Sequence, residues 1–154
     1  MTFKPNNQST SEEERTFSDQ LLQLLCDNQL FITKIQRAQW NYDVLPLEHY
    51  NSIINLLFNC SEIIADQIKV HNGHVPANLS VYLELSKLKE VLGIGTAFDL
   101  KKDVILSHNI LLEYLMTFMN EDSRSFEEIR KGLITELHTS HTEIYKLLEI
   151  LNQN

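Results

Sequence analysis

The sequence predicts an all-α fold, and three observations carry that prediction. Only 4 Gly and 3 Pro occur among 154 residues, and the turn residues gather in a few places. The long stretches between them are rich in Leu, Ile, Glu, Gln and Lys, which are mostly good helix formers. Within those stretches apolar residues return at helical spacing, three and four apart, instead of alternating as in a strand. A hydrophobic fraction of 43% suits a single soluble domain with a proper core.

The elements follow in order. Residues 1–11 are polar and read as a flexible tail. Ser11 followed by Glu12, Glu13 and Glu14 reads as a helix start, a cap with acids on the positive end of the dipole. Phe17, Leu21, Leu24, Leu25, Phe31, Ile32 and Ile35 then keep one phase, so a first helix is expected to about Trp40. Pro46 suits the first turn of a second helix, whose apolar face is Tyr50, Ile53, Ile54, Leu57, Ile64 and Ile68. It should stop at His71-Asn72-Gly73, with Gly73 in a left-handed cap. The connection that follows is long for a loop between helices, and Ser80 to Lys89 inside it reads as a short helix. A third helix is expected over Phe98 to Asn120, and a fourth over Ser125 to Leu151 with Phe126, Ile129, Leu133, Leu137, Ile144, Leu148 and Leu151 in phase. The domain therefore spans 12–152: four long helices with one crossover between the second and third.

Charge and cysteines narrow the function classes. Lys and Arg number 13 against 21 Asp and Glu, a net charge of −8. Such a surface repels phosphate, and Met1 to Ser11 holds a single lysine, Lys4, so DNA is not an expected partner. Cys26 and Cys60 both fall inside helical patterns, as buried thiols do in a reducing compartment. A signal-like start and a membrane-length apolar run are both missing, which points to a cytoplasmic protein.

Ala38-Gln39-Trp40-Asn41 and Ile64-Ala65-Asp66-Gln67-Ile68 resemble, in that order, the Ala-His-Trp-Asn signature and the Ile-Ala-Glu-Arg-Ile segment of the Dps family of mini-ferritins, within the ferritin-like superfamily. His71 to Pro76 falls where the family has a Gly-rich turn, and Leu79-Ser80-Val81-Tyr82-Leu83 resembles its small crossover helix. His141 before Thr142-Glu143 resembles a His-Glu pair of the last helix. The order and spacing of these matches span nearly the whole chain. The resemblance implies a ferritin-like four-helix bundle with a short helix in the crossover. It further implies a hollow shell of twelve subunits, and iron storage with protection from oxidative stress.

Dps ferroxidase sites lie between two subunits, where histidines and carboxylates hold ferrous iron and leave positions open to the oxidant. The family's first ligand precedes the Trp, and here that position is Gln39, a poor iron ligand. The remaining pattern, His-x3-Asp, ten residues, Asp-x3-Glu, maps onto Leu47, Asn51, Glu62 and Asp66. Shifting the register to use His49 puts Ile53 at the Asp position, which is no better. Glu62 and Asp66, four apart, share a helix face and are either a weak cation pair or a solvated acid pair. His49 with Glu48 is the nearest substitute for a lost ligand, and Glu48 is a candidate interior acid for mineral growth. Acids around Asp122 and Glu127 correspond to the family's three-fold pores, or form an ordinary acidic turn.

Other candidates are weaker. His138 and His141 read as solvated histidines more than as a surface metal pair, and His108 as a satisfied core histidine. His71 and His74 read as turn residues, and Trp40 as a core or interface aromatic. Leu92-Gly93-Ile94-Gly95 lacks the strand and third glycine of a nucleotide loop. A di-metal enzyme would need Glu-x-x-His motifs on facing helices, and none stands in the right pair. A shell that has abandoned iron, acting as a scaffold, is the alternative function.

Overall fold

The computed structural model describes residues 12–71, 73–91, 93, 95–119 and 126–153, so the expected tail at 1–11 lies outside the described residues. It is all-helical, with α1 at Glu12–Tyr42, α2 at Leu47–Val70, α3 at Leu79–Leu85, α4 at Ala97–Met119 and α5 at Glu127–Leu148. A 3₁₀ turn, Glu149–Asn152, extends the last helix. No strand occurs among the described residues.

Helix ends follow local chemistry. The acids Glu12, Glu13 and Glu14 occupy the first turn of α1. That helix runs two residues beyond Trp40 and stops where Asp43 turns left-handed, φ 45°, with its N–H on the Gln39 carbonyl at 3.0 Å. Aspartate tolerates this conformation better than most residues. Gly73 does not take the expected left-handed cap, since the one positive-φ glycine among the described residues is Gly93. Close approach explains Gly73 instead. Its N–H bonds the Ile68 carbonyl at 2.8 Å, and a Cβ there would stand 2.6 Å from Ile68 Cγ2. The short helix is also shorter than expected: it ends at Leu85, and residues 86–89 are not helical.

Among the four long helices, α1 packs on α2 and α4, and α5 packs on α2 and α4. Their apolar stripes build two clusters. One contains Phe31, Ile35, Ile53, Leu57, Val104, Leu111, Ile144 and Leu148. The other contains Phe17, Leu21, Ile64, Ile68, Leu115, Phe118, Leu133 and Leu137. Along the chain, α1 and α5 pass from the second cluster to the first, while α2 and α4 pass the other way. These four packed pairs of long helices are therefore antiparallel, and the successive helices α2 and α4 run in the same direction. The segment between them must travel back along the molecule, and α1 is its track. Gln23 donates to the Leu85 carbonyl at 2.6 Å and Lys34 to that of Lys89 at 2.5 Å. Arg37 reaches the Val91 and Gly93 carbonyls, and Tyr42 that of Gly95. One expected core residue falls outside the clusters: Ile129 is exposed, because it lies off the buried stripe of α5.

Candidate functional site

The residues singled out by the iron pattern divide into a spent position and an open face. Gln39 is buried, and both ends of its amide are committed to one residue. Its Nε2 donates to the Leu45 carbonyl and its Oε1 accepts from the Leu45 N–H, each at 3.0 Å. It clamps the turn between α1 and α2, and its buried amide is held in place by Leu45 and turned away from an open metal position. Leu47, Asn51, Glu62 and Asp66 are all exposed on α2. Their spacing puts them on one outward face, which Phe58 shares. Glu62 and Asp66 make no side-chain hydrogen bond or ion pair among the described residues, so both carboxylates stand free. Leu47 is 67% exposed and Phe58 47%, two of several large apolar side chains that the surface leaves open.

Glu48 is exposed in the first turn of α2. His49 is half-buried and falls on another side of the helix from Glu62 and Asp66; its Nδ1 is sealed from water with no hydrogen-bond partner. Glu127 is exposed at the start of α5 and pairs with Lys131 at 3.0 Å, while Asp122 lies outside the described residues. Trp40 is 72% exposed, which removes the core option for it and leaves a surface or interface role. No group of three or more His, Cys, Asp or Glu is poised around a common point among the described residues. The donors of one chain therefore do not fit a di-iron centre. Glu62 and Asp66 remain an exposed pair of carboxylates four residues apart on α2.

Inside the helices lies a constellation that the sequence pattern did not bring together. Each long helix interrupts its apolar stripe with buried polar residues near mid-length: Asp27 and Asn28 on α1, Ser61 on α2, Ser107 and His108 on α4, Ser140 and His141 on α5. They lie at or within a turn or so of the boundary between the two apolar clusters and connect neighbouring helices. Asn28 Nδ2 donates to Ser61 Oγ at 2.7 Å and to the Leu57 carbonyl at 2.8 Å, tying α1 to α2. The Ser140 side chain hydrogen-bonds the Cys60 sulfur, tying α5 to α2, and burial pushes the Cys60 thiol up to about 11. His108 and His141 meet across α4 and α5 at 3.2 Å. His141 is 3% exposed, so it is a core residue and not the solvated histidine expected from its neighbourhood. Helix phase explains the difference: His141 continues the stripe of Leu137 and Ile144, whereas His138 points outwards.

Asp27 anchors the returning segment. Its Oδ1 accepts from the Ser86 hydroxyl at 2.8 Å, the Lys87 N–H at 2.7 Å and Gln23 Nε2 at 3.1 Å. Its Oδ2 is buried with no partner. Burial raises the carboxyl above its ordinary 3.8, with the donors at Ser86, Lys87 and Gln23 acting against that rise. Beside it, burial and the Asp27 charge hold the Cys26 thiol up at about 11, so both cysteines are inert at neutral pH.

His71, expected in a turn role, is buried at the end of α2, edge-on to Phe17 and Phe126 at 4.9 and 5.1 Å between ring centroids. The signal for these buried polar groups was present in the sequence as polar breaks in apolar stripes. Only the relative heights of the helices turn those breaks into one layer.

No protein-family model, curated protein or solved structure matches the chain. No helix among the described residues is long and apolar enough to cross a membrane.

Proposed function

We propose that this chain is the subunit of a ferritin-like shell, similar to the Dps mini-ferritins, that sequesters iron and protects against oxidative stress without a standard ferroxidase centre. One observation carries the reading: the outward face of α2 keeps Glu62 and Asp66 free while the first ligand position, Gln39, is spent on the backbone of Leu45. Half of the family's inter-subunit site would persist as a pair of carboxylates, and the half rich in nitrogen ligands would be gone. Ferrous iron is then cargo held weakly by oxygen donors, not a substrate oxidised at speed.

The arrangement of helices supports the ferritin-like four-helix bundle: four antiparallel contacts, α2 and α4 running the same way, and a short helix in the return along α1. In this reading twelve subunits close the shell in the cytoplasm, acids around Asp122 and Glu127 line its pores, and Glu48 faces the mineral. DNA is not a partner, because the net charge of −8 opposes it. Leu47 and Phe58 favour a second reading on the same face. Two large apolar side chains on the helix face that carries the carboxylates, Phe58 one turn from Glu62, suit packing between subunits, so a shell that serves as a scaffold without iron is the alternative.

The test mixes the purified assembly with ferrous iron and peroxide and follows ferric absorbance against a protein-free control. The expected result is little acceleration of oxidation but retention of iron with the assembly on gel filtration. Glu62→Gln with Asp66→Asn should reduce that retention. Rapid protein-dependent oxidation would overturn the loss of the ferroxidase centre. Retention no greater than that of an unrelated acidic protein would leave the scaffold reading.

A further inference from the structure

His108 of α4 and His141 of α5 face each other inside the core, Nε2 to Nδ1 at 3.2 Å. Their ring centroids are 5.4 Å apart, close to that distance plus the two ring radii. The nitrogens thus point at each other nearly head-on. That is the geometry of one shared hydrogen, not of two lone pairs converging on a metal, and no third metal-ligating group joins them among the described residues. While both rings are neutral, one donates and the other accepts. A first added proton places a charge in the core. A second removes the acceptor and opposes two N–H groups.

We propose that the His108–His141 pair is an acid-sensitive latch, which ties α4 to α5 while both rings are neutral and releases that seam when they are protonated.

The surroundings offer an imidazolium no compensation. From α1, Phe31 stacks on His108 at 5.2 Å between centroids, and Lys34, one turn further on, is committed to Asp103 of α4. From α2, the group nearby is the neutral Cys60 thiol, bonded to Ser140 next to His141. On α5, His138 repels a charge on His141, and Tyr145 lies 6.4 Å from His108 between centroids. Glu149 lines a small cavity that reaches His108, but it is exposed and its charge is screened by water. That cavity, about 20 Å³, has room for one water and gives protons a route to the pair.

Burial lowers His108 from 6.5 to about 4, and burial together with the charges of His108 and His141's neighbour His138 lowers His141 to about 3. A lowered histidine binds fewer protons folded than unfolded. Its contribution is therefore complete above about 6.5 and is lost as the pH falls towards the folded value. Between pH 7 and pH 5, each histidine shifts the balance towards the open seam by roughly 20-fold.

Hydrogen exchange of the full-length protein at pH 7 and pH 5, corrected for intrinsic exchange, tests the latch. Amides of α4 and α5 around the pair should lose roughly 20-fold protection or more on acidification, and those of α1 and α2 less. In the double variant H108Q/H141N, the glutamine Nε2 replaces the His108 donor and the asparagine Oδ1 replaces the His141 acceptor. The contact persists without titrating, so the acid loss at α4 and α5 should disappear. An equal loss in the variant overturns the proposal, as does unchanged protection of wild-type α4 and α5 between the two pH values. Should the variant not fold, titration of the two imidazole Cε1–H resonances of the wild type decides. Values below about 5 for both rings support the latch, and a value at or above 5 for either overturns it.

Discussion

Gln39 presents a primary amide whose donor and acceptor match the C=O and N–H of a single buried residue, Leu45. Removing it strands both backbone groups away from water. Gln39→Ala should cost about 2–4 kcal/mol, read as a lower urea midpoint at unchanged slope. A smaller loss would mean that water replaces the amide. Gln39→His can keep at most one of the two bonds. Rebuilding the family's ligands with Gln39→His, Leu47→His and Asn51→Asp therefore begins with a loss of stability at its first step. Two other buried groups set opposite slopes of stability with pH. The raised Asp27 carboxyl contributes fully below the ordinary carboxylate range and loses that contribution as pH rises through its folded value. The lowered histidine pair loses its contribution as pH falls below about 6.5.

The returning segment between α2 and α4 buries little of itself; α3 has no buried residue at all. Side chains of α1 hold it in place through its carbonyls, with Asp27 taking the Lys87 N–H and the Ser86 hydroxyl. Lys34 is the strongest of these ties. It donates to the Lys89 carbonyl and pairs with Asp103 at 2.8 Å, with only 6% of its side chain exposed. Deleting one partner of such a pair leaves the other charge partly buried. Lys34→Ala should destabilise by about 3 kcal/mol, while Lys34→Met combined with Asp103→Leu should recover most of it. Thermal melts of the three proteins check this, and a double variant no better than Lys34→Ala would show that the Lys89 contact dominates.

At the scale of the whole molecule, α2 leaves Leu47 and Phe58 open on the face that carries Glu62 and Asp66, and Trp40 lies open at the end of α1. Isolated exposed apolar residues need no explanation, but two on one helix face with a free carboxylate pair suit contact with another subunit. Sedimentation velocity should show a large assembly for the wild type. Leu47→Glu with Phe58→Glu should shift it to monomers or dimers of unchanged helicity. A wild-type monomer at micromolar concentration would remove the shell from the proposed function, and an assembly indifferent to the two glutamates would move the contact elsewhere.

The apolar periodicity by itself determined the four long helices, because a stripe of Leu, Ile and Phe can be buried on only one side of a helix. Phe17, Leu57, Leu133 and Ile144 were legible as core for that reason. Turn chemistry was legible in kind but not in detail: Pro46 opens α2 as expected, whereas Gly73 does not take the left-handed cap expected of it at the end of α2. Tertiary structure alone decided what the polar residues do. Gln39 was legible as a poor ligand, but its role as a turn clamp exists only because Leu45 folds back onto it. His141 lies on the buried stripe that His138 misses, and it finds a hydrogen-bond partner in His108 only because α4 packs on α5. Backbone propensity and amphipathicity act over a few neighbouring residues. The partners of a buried amide or imidazole, in contrast, come from across a turn or from another helix, so they exist only once the helices are packed.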